Sequence, residues 1–586
     1  INEGGSSMEH LFGKSAYEGV VIGSVYVENN TTEKDDADDI PVYDIQSEKE
    51  KLDMALESAI SSLEGLKTGL TGEIEKKDLD IIDAHLLLLK DPVYIKDIEV
   101  YIEKNLKRAD KAVKDVTEKY LGLFKKIDSP IYRQRELDIK DVSNRLLDIL
   151  RSDEENHKIL DGKILVTREI YPTELLKIYK EKIALKGIVM EYGGETSHVA
   201  ILAKALKIPT LMGVDNIFAH QWNGDIILDT TEDNSCVILN PDENEIEKYT
   251  KKQEKMARRI RKINECANLP AITKDGVEIN LYLNIGDSER HSDDDVDKST
   301  VEGVGLLRTE LIYMKSSEFP SEEKQLYIYR EILKDFSRDQ SIVIRTLDIG
   351  ADKQLSYFKM HSETNPFLGL RGIRFSFENE DIFKIQLRAI LRLSNEKNIK
   401  IMYPMITNLD EVDRANSILD EVKDELRREN IPFNENIEVG IMVEVPSVVL
   451  MAEEFAQKID FFSIGSNDLT QYILAADRLS ETVGDMYDSF NPAVLRGIKI
   501  IKDAADKYGK KVSVCGEMAG DPRAVVALLS IGIKDLSMVE TSIPMIKALI
   551  RNLNYQELVL LKNELLKCGN PEKVKNLLKE KIMYLD

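Results

Sequence analysis

The sequence predicts a multidomain α/β protein with a (β/α)8 TIM barrel in its C-terminal half and an N-terminal α/β domain that contains an inserted helical bundle. The chain has 586 residues, which is too long for a single hydrophobic core. Short β-branched runs recur regularly from residue 271 to residue 586, and helical patterns fill most of the intervals. Residues 40–155 instead place apolar residues three and four positions apart, which is typical of packed helices.

The composition excludes several classes of protein. Lys and Arg number 80 against 105 Asp and Glu, for a net charge of −25, which argues against nucleic acid as the main partner. The longest apolar runs are shorter than the roughly 18 residues that a membrane span needs, so no membrane insertion is expected. Residues 1–7 lack the features of a signal peptide and are interpreted as a remnant of cloning.

The four cysteines are far apart in the sequence, and none has the spacing of a paired metal ligand. They are Cys236, Cys266, Cys515 and Cys568. This distribution argues against a structural zinc site or a disulfide framework, and it suits a reducing cytoplasm.

Changes in composition and in apolar spacing along the chain predict the domain boundaries. A strand pattern at residues 16–28 resumes after Gly162 as short β-branched runs separated by Gly, Pro and Asp, so both parts are assigned to one α/β domain. A strongly charged segment with few apolar positions then predicts an exposed connecting helix. The predicted units are an α/β domain at 8–39 plus 156–241, a helical bundle at 40–155, a linker helix at 242–270 and a barrel at 271–586.

Eight strand candidates define the predicted barrel. They lie at residues 277–283, 303–307, 342–346, 369–375, 400–405, 438–444, 461–465 and 511–515. A doubly wound sheet is the main alternative, but it explains eight regularly spaced strands less well.

Polar side chains cluster at one end of these strands. They are Arg308, Arg345, Arg371, Arg374, Glu444, Asn467, Asp468 and Cys515. In a (β/α)8 barrel the carboxyl ends of the strands meet at one mouth, where active sites form. Arginines offer paired donors to phosphate or carboxylate, and two carboxylates suit Mg²⁺, so we expect a small phosphorylated carboxylate as substrate. Each residue alone has an ordinary alternative, such as a surface ion pair or a core cysteine, and the shared position favours a site.

A second candidate site lies in the α/β domain at GGETSH, where two glycines precede His198. The apolar spacing that follows predicts a helix with His198 in its first turn. Free backbone N–H groups at a helix start favour an anion and disfavour imidazolium, so His198 is predicted to be a neutral nucleophile that could carry a phosphoryl group. The alternative is a histidine that makes an ordinary hydrogen bond in a capping turn.

Taken in order, several segments resemble the motifs of one enzyme family. GGETSHVAILAKALKIPTLMG looks like the phosphohistidine motif of the phosphoenolpyruvate-utilising enzymes. GVGLLRTE, VIRTLDIGADK, NPFLGLRGIR, GIMVEVP, FFSIGSNDLTQY, AADR and VCGEMAGD follow in that family's order. The resemblance covers the chain after Met8 and is strongest to enzyme I of the sugar phosphotransferase system. Nothing in the sequence resembles the ATP-binding domain of the family's larger members.

The resemblance implies an activity, partners and a role for each domain. The phosphoryl group of phosphoenolpyruvate would pass to the protein's own histidine and then to a histidine-containing phosphocarrier protein, with release of pyruvate. The α/β domain would be the phosphohistidine domain, the helical bundle would dock the carrier, and the barrel would bind phosphoenolpyruvate and form a homodimer. A hinge movement between the domains is implied as well.

The resemblance also implies roles for individual residues. His198 matches the histidine phosphorylated on Nε2, and Cys515 matches the cysteine that protonates the enolate. The matched substrate-binding and Mg²⁺-binding residues are Arg308, Arg345, Arg478, Asn467 and Asp468 for the substrate, and Glu444 and Asp468 for the metal.

Some positions depart from the family pattern. Glu195 stands where Arg is usual, Tyr171 replaces a threonine, and Lys204 stands where Arg is common. A carboxylate three residues before His198 would repel an incoming phosphate, so a binding or signalling homologue with weakened transfer is the alternative function. Candidates for carrier docking, for which helix-surface or packing roles are equally compatible, are His85, Arg135 and Asp138.

Overall fold

The computed structural model divides the chain into two compact units, with the boundary between Ala257 and Arg258. It describes residues 8–28, 44–70, 76–124, 130–151, 157–194, 197–231, 235–286, 296–350, 355, 357–358, 363–478, 480 and 482–582. Within these residues, no helix combines the length and the apolar character needed to cross a bilayer.

A mixed sheet forms the framework of the first unit. Its strands, in chain order, are β1 (Glu9–Phe12), β2 (Lys14–Tyr17), β3 (Val20–Val27), β4 (Ile164–Thr167), β5 (Gly187–Met190), β6 (Thr210–Met212), β7 (Asp225–Asp229) and β8 (Cys236–Leu239). They lie in the order β1-β8-β7-β3-β4-β5-β6-β2. The β3–β4, β4–β5 and β5–β6 pairs are parallel, and the remaining pairs are antiparallel. The early strands therefore complete the sheet of the later segment, as the sequence predicts.

Five helices fall between β3 and β4. They are α1 (Ile45–Leu70), α2 (Lys76–Leu89), α3 (Pro92–Asn105), α4 (Ala109–Phe124) and α5 (Pro130–Arg151). Apolar residues of α1 at helical spacing, including Leu52, Leu56 and Leu63, are buried against the other helices. The helices are thus an insertion in the α/β sequence.

Three further helices complete the first unit and lead out of it: α6 (Pro172–Lys180), α7 (His198–Ala205) and α8 (Glu243–Cys266). Helix α8 crosses the boundary between the units, and Tyr249 is its one buried residue. Its Lys252 lies 2.6 Å from the fully buried Asp229 at the end of β7. This ion pair fixes the N-terminal half of α8 to the first unit.

The second unit is a closed barrel of eight parallel strands, which confirms the predicted fold class. Its strands are β9 (Asn280–Ile285), β10 (Gly303–Leu307), β11 (Ser341–Arg345), β12 (Asn398–Tyr403), β13 (Glu438–Val443), β14 (Phe461–Ile464), β15 (Lys511–Val514) and β16 (Asp535–Met538). The helices are α9 (Glu310–Met314), α10 (Glu322–Leu333), α11 (Ile373–Glu378), α12 (Glu380–Leu393), α13 (Leu409–Arg428), α14 (Pro446–Leu450), α15 (Ala452–Lys458), α16 (Ser466–Leu474), α17 (Pro492–Tyr508), α18 (Pro522–Ile531), α19 (Ile543–Asn552), α20 (Tyr555–Lys567) and α21 (Pro571–Ile582).

One predicted barrel strand is wrong and one real strand was missed. Residues 369–375 form a loop and the start of α11, because Gly372 adopts a φ of 59° that interrupts an extended chain. The eighth strand is instead β16, whose four residues include a polar Asp535 and Ser537. So short a run lacks the β-branched signature from which the other strands were predicted.

Candidate active site

The carboxyl ends of the barrel strands bring the predicted polar residues together. Arg345 is the last residue of β11, Glu444 follows β13 directly and Cys515 follows β15 directly. Asn467 and Asp468 lie in the first turn of α16, which begins two residues after β14. Parallel strands of a barrel end on the same side, so these side chains share one mouth.

A network of buried charges occupies this mouth, and we call it the mouth network. Its six members are Arg345, Arg371, Glu310, Asp348, Glu444 and Asp468. Arg345 donates from Nη2 to Glu310, and its Nη1 lies 3.1 Å from Asp348 Oδ2. Arg371 donates from Nη2 to Asp348 Oδ2 at 3.0 Å and to Asp468 Oδ2 at 3.2 Å. Asp348 therefore bridges the two arginines, which fixes their separation.

The two carboxylates predicted as metal ligands keep unused oxygen atoms. Glu444 is fully buried and accepts from the backbone N–H of Met405 through Oε1, while its Oε2 has no hydrogen-bond partner among the described residues. Asp468 Oδ1 likewise lacks a partner in the described chain. Burial, followed by repulsion from Asp468 and Asp348, raises the pKa of Glu444 to about 8.

These observations fit a divalent cation with oxygen ligands. Two buried carboxylate oxygens without donors are an acceptor pair that a cation would satisfy. Within the described residues no group of three or more His, Cys, Asp and Glu side chains is arranged to hold a metal ion. A cation at Glu444 and Asp468 would therefore need further oxygens from water or from a substrate, which is the usual arrangement for Mg²⁺.

Asn467 is held in one orientation by Glu517. Its Nδ2 donates to Glu517 Oε1 at 2.9 Å, and the backbone N–H of Glu517 donates to its Oδ1 at 3.0 Å. The Tyr487 hydroxyl donates to the Asn467 carbonyl at 3.3 Å, and the same tyrosine hydrogen-bonds the side chain of Arg478. Asn467 and Arg478 therefore belong to one polar edge of the mouth.

Cys515 lies close to this edge because Gly516 permits tight packing. A Cβ atom at Gly516 would lie 2.7 Å from the backbone nitrogen of Ser466, so a larger residue would force the two loops apart. The Cys515 side chain is 2% exposed, and burial raises the pKa of its thiol. The thiol therefore stays protonated near neutral pH. Arg308 stays exposed at the end of β10, where it acts electrostatically on the same thiol.

Two of the four arginines predicted at the strand ends, Arg308 and Arg374, lie outside the mouth network, and two acids that belong to it were not predicted. Arg374 donates to the carbonyls of Leu368 and Gly369 and stays local. Glu310 and Asp348 were missed as members, although each stands close to a predicted arginine, in RTE and in RTLD. A buried arginine requires a buried acid nearby, and an acid two or three residues after each arginine was the sequence feature that could have predicted the pair.

His198 is the first residue of α7, as its sequence context predicts. The Ser197 hydroxyl accepts from the backbone N–H of Ala200 at 3.2 Å and caps the helix. Gly193, with a φ of 128°, provides the preceding turn. Glu195, which departs from the family motif, lies outside the described residues.

A small cavity of about 50 Å³ adjoins His198. Tyr171 contributes to its wall, as do three acids, Asp138, Asp141 and Glu169. Burial raises the pKa of the Glu169 carboxyl and of the Tyr171 hydroxyl. Lys204, at the other end of α7, is exposed.

His85 lies inside the first unit and lines the same cavity. It is 1% exposed, with Nε2 3.6 Å from Asp138 Oδ1 and Nδ1 3.7 Å from Asp141 Oδ2. Asp141 in turn accepts from the Thr173 hydroxyl at 2.6 Å, which connects α5 to the start of α6. This burial favours the packing role over surface docking for His85 and Asp138. The side chain of Arg135 lies outside the described part of the chain.

Comparison with known proteins gives a consistent family assignment. Domain families described as "PEP-utilising enzyme, N-terminal", "PEP-utilising enzyme, mobile domain" and "PEP-utilising enzyme, PEP-binding domain" match residues 12–135, 159–233 and 261–555. The chain belongs to the phosphoenolpyruvate-utilising enzymes. The resemblance predicted from the motifs is thereby confirmed.

Curated relatives within this family share one name, phosphoenolpyruvate-protein phosphotransferase. The protein from Listeria monocytogenes is 37% identical over 98% of this chain and 99% of its own length. That from Geobacillus stearothermophilus is 36% identical over 97% of each chain. That from Staphylococcus aureus is 37% identical over 96% of this chain and 97% of its own.

Proposed function

We propose that this protein transfers the phosphoryl group of phosphoenolpyruvate to its own His198 and then to a histidine of a small phosphocarrier protein. Pyruvate is released, and the transfer is the first step of the sugar phosphotransferase system. Family membership supports the substrate class, and the start of α7 supports a histidine acceptor. The mouth of the barrel supplies the groups that the chemistry at phosphoenolpyruvate needs.

The observation that carries this proposal is the charge balance of the mouth network. Two arginines face four carboxylates, and burial and the neighbouring acids raise the pKa of Glu444 to about 8, so this carboxyl holds a proton near pH 7. A divalent cation would displace that proton and offset the excess of carboxylates, and Mg²⁺ at Glu444 and Asp468 is our proposed cofactor. When bound, Mg²⁺ would neutralise charge on the oxygens of the substrate.

The arginines of the mouth are proposed to orient the transferred group. Arg308, Arg345 and Arg478 contact the phosphate, and Asn467 binds at the same place. Phosphoryl transfer depends mainly on positioning and on neutralisation of charge, which forked guanidinium donors supply. Because Arg345 is locked by its acids, it is preorganised before the substrate arrives.

The proposed transfer breaks one bond to phosphorus and forms another. The bond between phosphorus and the enol oxygen of phosphoenolpyruvate breaks as a bond forms between phosphorus and His198 Nε2. The resulting enolate takes the proton of the Cys515 thiol at its methylene carbon and becomes pyruvate. The thiolate regains a proton from water. Burial raises the pKa of this thiol, so the proton is in place near pH 7.

The proposal includes movement, because His198 in the first unit must meet first the substrate at the barrel and then the carrier protein. A hinge displacement that carries His198 to the substrate and then to the carrier is therefore part of it. The predicted division into domains is kept, with carrier docking on the helices inserted between β3 and β4. Homodimerisation through the barrel also stays a prediction, which sedimentation of the purified protein measures. A cytoplasmic location is proposed because all four cysteines are free thiols.

Steady-state pyruvate release tests the function. The full-length protein is mixed with phosphoenolpyruvate, Mg²⁺ and a purified histidine phosphocarrier, and pyruvate is followed over time. The wild type is expected to turn over many times, and His198→Gln not at all. His220→Gln is the matched control, because His220 is a half-buried histidine of the same unit that pairs with Glu9 at 2.7 Å. Tight substrate binding by a wild type that releases no pyruvate would favour the binding homologue instead.

A further inference from the structure

Glu310 is a buried acid that none of the proposed catalytic steps uses. It is the first residue of α9 and is 2% exposed. Its carboxylate accepts from Nη2 of Arg345, an arginine that is itself 5% exposed. A carboxylate buried away from water lowers the stability of the fold unless a well-oriented partner compensates for its lost hydration.

The residues around Glu310 hold Arg345 at its main chain as well. The hydroxyl of the preceding residue, Thr309, donates to the Arg345 carbonyl at 3.0 Å. Gln386 donates to the same hydroxyl at 3.1 Å and accepts from the backbone N–H of Leu347 at 2.9 Å. The Thr309–Glu310 pair therefore fixes Arg345 at both its backbone and its guanidinium group.

One of the three guanidinium nitrogens of Arg345 makes no hydrogen bond to the described residues. Nη2 is engaged by Glu310, and Nη1 lies 3.1 Å from Asp348 and 3.4 Å from the sulfur of Met442. The Nε atom is buried and has no hydrogen-bond partner among the described residues. A buried nitrogen donor without a partner, on a side chain whose other two nitrogens are both engaged, points to a ligand atom.

We propose that Glu310 is a positioning residue that orients the Arg345 guanidinium so that its Nε donor meets the transferred phosphoryl group. This inference rests on the proposed phosphoryl transfer and adds to it a residue that touches neither substrate nor metal. Glu310 acts through geometry, since its negative charge by itself would only weaken the attraction of Arg345 for phosphate.

The kinetic constants separate positioning from a purely structural role. In Glu310→Gln the arginine keeps its charge and loses a competing acid, so KM for phosphoenolpyruvate should not rise. Its orientation in the transition state is lost, so kcat should fall, by about tenfold to a hundredfold. If Glu310 were only a structural counter-ion, Glu310→Gln would instead lower the melting temperature and leave kcat of the folded enzyme unchanged.

The test compares Glu310→Gln with Glu396→Gln in the steady-state pyruvate assay. Glu396 forms a half-exposed pair with Arg330 on the same unit, and its substitution should leave both constants unchanged. Should Glu310→Gln fail to fold, Glu310→Asp keeps the charge and shortens the reach, and it should also lose kcat. A kcat within twofold of the wild type in the folded variant overturns the positioning role. A wild type that releases no pyruvate overturns the proposed function itself.

Discussion

The barrel mouth and the surroundings of His198 hold their functional groups in opposite ways. At the mouth, ion pairs cross-link two arginines and three acids, and the backbone N–H of Met405 holds the fourth acid, Glu444. At His198, the reactive ring stands at the start of an eight-residue helix, capped by Ser197 and beside a small cavity with acidic walls.

This difference matches the proposed tasks of the two sites, which are to bind the substrate and to carry the phosphoryl group. A site that must neutralise a phosphorylated carboxylate needs charges set in place beforehand, because reorganisation during the reaction is costly. A carrier histidine must accept an anion and give it up again, so a helix start, whose backbone N–H groups carry only partial positive charge, suits it. The following predictions test this division of labour.

The largest expected loss is at the acids that we propose as metal ligands. Glu444→Gln should lower pyruvate release by about a thousandfold, because the amide would replace a carboxylate that would hold the cation. Glu438→Gln is the matched control at the opposite end of the same strand, where the acid pairs with Lys400. Equal activity of the two variants would show that the mouth network does not serve the reaction.

A smaller loss is expected at the proton donor. Cys515→Ala should lower steady-state pyruvate release by about a hundredfold, the lower range of general acid catalysis. Cys568→Ala is the control, because this half-buried thiol lies on the same unit, outside the mouth, and donates to the carbonyl of Glu564. Full activity of Cys515→Ala would assign the protonation to water.

A gain is expected near the histidine. Glu195→Arg removes a carboxylate three residues before His198 and should raise the rate of histidine phosphorylation, by about threefold, the size expected for one charge interaction in water. Glu195→Gln should produce part of the gain. Rapid-quench measurement of phosphohistidine formation checks both variants, and a slower Glu195→Arg protein would contradict the expectation.

The last prediction concerns stability and not activity, at the buried Lys547 of α19. Its ammonium group donates to the carbonyls of Ala267 and Thr300, and burial lowers its pKa to about 8 from 10.5. Between these values the unfolded chain binds a proton that the folded chain does not. The free energy of unfolding should therefore rise with pH from about 8 to 10.5, by at most about 1.4 kcal/mol per pH unit from this group.

Melting temperatures of the wild type and Lys547→Met check this slope. The advantage of the wild type should grow between pH 7.5 and pH 9.5. Lys511→Met, at an exposed position that opens β15, should show a constant offset from the wild type. A constant offset for Lys547→Met as well would contradict the lowered pKa.

The barrel could be predicted because seven of its strands carry β-branched runs with polar ends, and the eighth could not because β16 is short and polar. The residues at the mouth were predicted by their position after strands. Their buried partners Glu310 and Asp348 were not, since nothing in a local pattern shows which acid an arginine will meet. The burial of His85 likewise depends on contacts between α2 and α5, distant in sequence.

The central claim is that His198 itself carries the phosphoryl group from phosphoenolpyruvate. A single-turnover experiment tests it most directly: the enzyme is mixed with labelled phosphoenolpyruvate and Mg²⁺ without a carrier, quenched in alkali and digested, and the labelled peptide is identified. We predict one acid-labile label per chain, on the peptide that contains His198, with an equal amount of pyruvate. Pyruvate formed without a label, or a label on any other peptide, would contradict the account.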